Sequence, residues 1–248
     1  MLPLSDDIES RTPPFAVILL ILANILAYVY VTLQPDAERM RLVLTYGAMP
    51  LRFTNVEWAQ WAGFPDTALP FLTYMFLHGD LLHLAFNLWT MWVFADNVED
   101  AMGHFRFPIF FLICGAAALA AHILLNPHSA SPVVGASGAV AGVMGAYILL
   151  FPKAKILTLI PIFFFPALIR LPALLLLGVW FLLQLASGLS ALTGDDGGIA
   201  WWAHLGGFGA GLVLTKPFLW GRPPLPLYHE PVPHETDPEQ SPPPGTVD

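Results

Sequence analysis

A single cysteine, Cys114, occurs among 248 residues, so no intramolecular disulfide can staple this chain. Charge is scarce too: 11% of the residues are Asp, Glu, Lys or Arg, against roughly 25% in an average soluble domain. The bases are fewer than the acids, 10 against 18, and the net charge is -8. Phosphate binding needs a dense basic face, so this balance argues against a nucleic-acid partner. Basic residues ahead of the first apolar run are scarce as well: acidic Asp6, Asp7 and Glu9 precede it, where a signal peptide carries bases, so the run is expected to stay as a helix. What the chain has instead is apolar surface, 56% of its residues and a mean hydropathy of +0.65, which excludes a disordered or collagen-like protein and points to a membrane.

About 20 apolar residues span a bilayer core of roughly 30 Å. Such runs are expected as helices at Phe15 to Leu33, at Leu81 to Ala95 with a start nearer Leu69, at Phe105 to Leu125 and at Val133 to Phe151. Ile156 to Leu192 is apolar throughout but holds Pro161, Pro166, Arg170 and Pro172, so a fifth helix is placed at Leu171 to Leu192 behind an irregular apolar connection. Ile199 to Leu219 is the sixth. The fold class expected is thus an all-α membrane protein, a six-transmembrane-helix bundle over 15–220, with a short cytoplasmic N-terminus at 1–14. The first loop, about 34–70, carries Trp58, Trp61, Phe53 and Phe64 and suits the membrane interface. From Arg222 to Asp248, nine of 27 residues are proline, without apolar periodicity, so 221–248 reads as a disordered tail whose deletion should leave function intact.

Cytoplasmic loops carry an excess of Lys and Arg. With six spans, Arg11, Arg106, Lys153, Lys155, Arg170, Lys216 and Arg222 share the side of the termini, and Arg39, Arg41 and Arg52 lie opposite. Seven against three puts both termini in the cytoplasm. The location expected is a plasma membrane, and a bacterial inner membrane in the absence of an organellar targeting segment.

Polar groups inside apolar spans are functional candidates by default, each with a plainer reading beside it. Ser137, in Gly135-Ala136-Ser137-Gly138, could be one of a cluster of small helix-packing residues. His204, in Ala203-His204-Leu205-Gly206-Gly207, could be a hydrogen-bonded packing residue, and His83 and Asn87, four apart on one helical face, an interhelical pair. The topology binds them together: the second, fourth and sixth spans all run from outside to inside, so His83, Ser137 and His204, a few residues into each, share a depth of roughly 6 to 8 Å. Gly138, Gly142 and Gly145 on one span, and Ala203, Gly207 and Gly211 on another, permit close backbone approach. A serine hydroxyl needs an adjacent base, and histidine suits that task. No carboxylate lies near His204 within a span; Asp195 and Asp196 precede it in the loop. The pattern is a dyad, with the Ser137 N–H, His83 and Asn87 available to an oxyanion.

The run His78-Gly79-Asp80-Leu81-Leu82-His83-Leu84-Ala85-Phe86-Asn87, then Gly135-Ala136-Ser137-Gly138, then Ala203-His204-Leu205-Gly206-Gly207 with Gly211, resembles the rhomboid intramembrane serine proteases over roughly Phe15 to Leu219. The resemblance implies a rhomboid-like protease domain with Ser137 as nucleophile, His204 as general base and acid, and His83, Asn87 and the Ser137 backbone as the oxyanion site. It also implies that Gly135, Gly138, Gly142, Gly207 and Gly211 support the packing and that Glu99 is structural. The cavity would open outward beneath a loop at about Thr193 to Gly198, and membrane protein substrates would enter from the lipid bilayer between the second and fifth helices. No cofactor and no metal are implied. Ala141 departs from members that carry an aromatic residue four positions after the serine, packed against the histidine.

The function expected is an intramembrane serine endopeptidase cutting transmembrane proteins near the outer face, with a small residue just before the cut because a helical substrate must unwind locally. A catalytically silent relative that binds transmembrane helices is the alternative. A transporter lacks support from any inverted repeat, and a metal site at His78, His83 and His204 lacks an acidic ligand. His104, His122, His128, His229 and His234 read as surface or loop residues, and Gln184 as an interhelical hydrogen bond in the fifth span.

Overall fold

The computed structural model describes residues 1–65, 67–162, 165–191 and 200–222. A short strand β1 (Leu2–Ser5) precedes helix α1 (Phe15–Thr32), and the first loop folds into three short helices, α2 (Asp36–Tyr46), α3 (Pro50–Thr54) and α4 (Val56–Trp61). Arg52 ties this loop together: its buried guanidinium donates to the Thr45 and Pro65 carbonyls at 3.0 and 2.8 Å and lies over the Phe53 and Phe64 rings. Trp61 is exposed, as an interfacial residue can be.

Helix α5 (Pro70–Thr73) and a 3-10 turn at Tyr74–Phe76 lead to α6 (Leu81–Met102), so the stretch from Leu69 is not the start of the second long helix. Asp80 sets that start, its side chain accepting the His83 N–H at 2.8 Å. Helices α7 (Arg106–Leu125) and α8 (Ser137–Leu150) follow. The fourth expected span loses its first turn, because Val133 pairs with Ala48 as a β-bridge and Gly135 sits at φ 119°, outside any helix. Ser137 is thereby the first residue of its helix, rather than lying a few residues inside it.

The connection expected to be irregular is an antiparallel hairpin, β2 (Lys155–Ile162) and β3 (Phe165–Pro172), joined by β1 in the order β1-β2-β3. Ile156 and Thr158 alternate inward and are buried, the two-residue period of a strand. Pro161 is tolerated in the middle strand because β1 pairs only with Leu157 to Leu159. The N-terminus is therefore part of the fold: Asp7 accepts the Lys155 N–H at 2.7 Å, and Asp6 accepts from Tyr147 Oη and from Asn97 at 2.7 Å. Helix α9 (Ala173–Ala191) begins after Pro172, and α10 (Trp201–Leu219) closes the bundle. The expected cover loop, the end of the proline-rich segment and His229 and His234 fall outside the described residues.

Among the described residues three helices, α1, α7 and α9, are long and apolar enough to cross a membrane. Helix α6 is longer but ends in Asp96, Asn97, Glu99 and Asp100, and α8 is an apolar helix of 14 residues, about 21 Å at 1.5 Å per residue. Helix α8 is the axis of the bundle, with every residue from Gly138 to Tyr147 buried against its neighbours. Glu99, fully buried, accepts the Ala16 and Val17 N–H groups at 2.9 and 2.8 Å, supplying the first turn of α1 with the acceptors that its Pro14 start cannot. His104 is not a plain loop residue, since its Nδ1 meets the same carboxylate at 2.5 Å.

Candidate active site

Helix α8 meets α10 backbone to backbone. A Cβ at Gly207 would run into the Gly138 carbonyl oxygen, and one at Gly211 into the Gly142 carbonyl oxygen; on the flank facing α7, Gly138 has no room beside Ala118, nor Gly142 beside Cys114. Glycine at these positions lets the two axes come together. That approach brings His204, in the first turn of α10, to the start of α8, where its Nε2 lies 2.9 Å from Ser137 Oγ. Both side chains are half-buried.

The turn before Ser137 is bound to glycine twice over. Gly135 has the positive φ that side chains rarely adopt, and a Cβ there would lie 2.7 Å from the His83 ring. Its N–H donates to the Tyr74 carbonyl at 2.9 Å, and Tyr74 Oη donates to the Gly115 carbonyl at 2.7 Å, which fastens the turn to α7. His83 and Asn87, one turn apart on α6, face this turn. Among the described residues Asn87 Nδ2 is buried without a hydrogen-bond partner. Ser137 opens its helix, so its N–H belongs to the first turn, whose donors have no intrahelical acceptor.

A cavity of about 670 Å³ joins these groups, with Asp80, His83, Asn87, Ser137, Gln184 and His204 on its wall. His122 lines it too and is buried, which corrects its reading as a surface residue. Glu99 stands apart, at the α1 start. Gln184 makes the interhelical bond expected of it, and its partner is His204 itself: Oε1 lies 2.7 Å from Nδ1. Trp180, a turn before Gln184 on α9, and Trp201 flank the imidazole with ring centroids 6.1 and 6.3 Å away. A polar residue four positions from a tryptophan in an apolar helix was the available signal for this contact; its partner was not visible in the sequence.

The chemistry within reach is proton transfer between a hydroxyl and an imidazole, beside an unsatisfied donor that could receive a developing negative charge. Residues 65–221 match the family model described as the Rhomboid domain. The chain is 37% identical over 75 residues to the rhomboid protease GluP of Bacillus subtilis, covering 30% of this chain and 14% of that protein. To the mitochondrial rhomboid protein 1 of Saccharomyces cerevisiae it is 32% identical over 147 residues, 56% of this chain and 38% of that one. The matched stretch is thus well under half the length of either relative. Since the family model takes in α5 through α10 and so every residue of the Ser137 and His204 site, the chain is a member of the rhomboid family.

Proposed function

We propose that this protein is an intramembrane serine endopeptidase that cuts transmembrane proteins near the outer membrane face with a Ser137–His204 dyad. The observation that carries the reading is the 2.9 Å contact between Ser137 Oγ and His204 Nε2 in a cavity whose wall also includes Asn87, its Nδ2 without a hydrogen-bond partner among the described residues. His204 takes the hydroxyl proton as Oγ attacks the scissile carbonyl, and the oxyanion is received by the Ser137 N–H, Asn87 Nδ2 and His83. His204 then returns the proton to the leaving amine, and water, activated by the same imidazole, releases the acyl group from Ser137.

In this reading α1, α6, α7, α8, α9 and α10 are six spans, the polar end of α6 lies at the cytoplasmic headgroups, and both termini are cytoplasmic in a bacterial inner membrane. The cavity wall includes Phe86 and Thr90 of α6 and Trp180 of α9, which favours sideways entry of a substrate helix between those two elements. A substrate must unwind locally before its carbonyl can reach Ser137, so a small residue before the cut should speed cleavage. The alternative is a silent relative that binds helices without cutting them. Labelling of the detergent-solubilised protein by a fluorophosphonate, beside Ser137→Ala and His204→Ala, separates the two. Labelling that both substitutions abolish is the expected result; no labelling, with a model transmembrane substrate left uncut in liposomes, would establish the silent reading.

A further inference from the structure

We infer that Gln184 is a positioning residue for His204, holding the imidazole in the one tautomer that can accept the Ser137 proton. The inference rests on the protease reading above and adds a third member to its dyad. A neutral imidazole carries its proton on one nitrogen, and the bond made by the other end decides which. Here Nε2 faces Ser137 Oγ at 2.9 Å, and Nδ1 faces Gln184 Oε1 at 2.7 Å. A carbonyl oxygen only accepts, so Nδ1 donates to it and the Nε2 lone pair is left for the hydroxyl. With the amide turned to present its NH2 group, the proton would sit on Nε2 and point at Ser137, and the dyad would be inert.

The surroundings explain why the amide is needed. The residue four positions after the serine is Ala141, buried and too short to hold the ring. Trp180 and Trp201 border the imidazole and limit its tilt, but they offer its face no acceptor for Nδ1–H. Among the described residues no carboxylate bonds to His204. Gln184 stands a turn beyond Trp180, so the same face of α9 supplies both the ring contact and the acceptor. Being neutral, it orients the base without the charge that an aspartate would bring to the imidazolium. In serine proteases of the chymotrypsin type, replacing the orienting carboxylate by an amide favours the wrong tautomer and lowers turnover by about four orders of magnitude. A neutral acceptor should be worth less, on the order of 10 to 100-fold.

The test uses full-length protein in detergent, with 15N-labelled histidine for nuclear magnetic resonance and fluorophosphonate labelling rates on the same samples. The wild type should show its His204 proton on Nδ1. Gln184→Met, similar in size and lacking the acceptor, should redistribute that proton and slow labelling at least tenfold, and Gln184→Glu, which keeps an accepting oxygen, should recover most of the loss. A residue that merely packs would leave the tautomer unchanged. A wild-type proton on Nε2, or equal labelling of Gln184→Met and wild type, overturns the inference while the protease reading stands. Should Gln184→Met fail to fold, Gln184→Glu decides: rapid labelling supports the inference, and labelling as poor as that of Ser137→Ala overturns it. A wild type that neither labels nor cuts removes both readings together.

Discussion

Asn87 lies one turn beyond His83 with its Nδ2 buried and, among the described residues, unpaired, an arrangement that costs stability unless a ligand or intermediate fills it. If the proposed protease reading holds, Asn87→Ala should lower the cleavage rate about 100 to 1000-fold, the loss usual for one oxyanion donor, while the thermal midpoint holds or rises. A parallel fall in rate and stability would make Asn87 a packing residue. Glu99 tests the opposite kind of role. It is 0% exposed and accepts two backbone N–H groups of α1, so Glu99→Ala leaves both donors without an acceptor and should destabilise the protein by about 3 kcal/mol in denaturant titrations. Labelling of the surviving folded fraction should continue, because Glu99 is absent from the cavity wall.

At the scale of elements, the contact between α8 and α10 sets the position of His204. Gly207→Ala places a methyl against the Gly138 carbonyl, one residue from Ser137, and the helices must part to accept it. Overpacking of this kind costs about 1 to 3 kcal/mol, and the displaced His204 should lose most of its labelling rate even where the protein stays folded. The segment leading out of β1 offers a second test. Burial pushes the Asp6 carboxyl up to about 6 against the pull of the Tyr147 hydrogen bond, and the neighbouring Asp96 charge adds to the rise. An acid raised above its unfolded value of 3.8 favours the fold while protonated, and that contribution is lost as pH climbs from about 4 to 6. Asp6→Asn keeps an accepting oxygen without the charge, so its thermal midpoint should match the wild type near pH 4 and exceed it at pH 7. Equal midpoints at both values would refute the burial argument.

For the whole molecule, the orientation can be read through its single thiol. Cys114 is buried, so a cysteine placed elsewhere reports on its own side of the membrane. If both termini are cytoplasmic, as proposed, a membrane-impermeant maleimide applied from outside should label Arg41→Cys and spare Lys155→Cys in intact cells. The reverse pattern would invert the topology. The sequence by itself determined the motif residues, their order and the helices that carry them, because glycine spacing and intramembrane polarity are local properties legible without neighbours. It also determined that Ser137 and His204 could meet, since small residues every fourth position leave room for two backbones. It did not determine that Lys155–Ile162 and Phe165–Pro172 pair as antiparallel strands: an apolar stretch interrupted by prolines has no period to separate strand from coil, and the third strand, Leu2–Ser5, lies more than 150 residues away. Nor could it show that His122 lines the cavity or that Gln184, on a helix without a motif, reaches His204. Those contacts depend on how α7 and α9 rotate against α10, and that rotation follows from the packing of the whole bundle rather than from any segment of it.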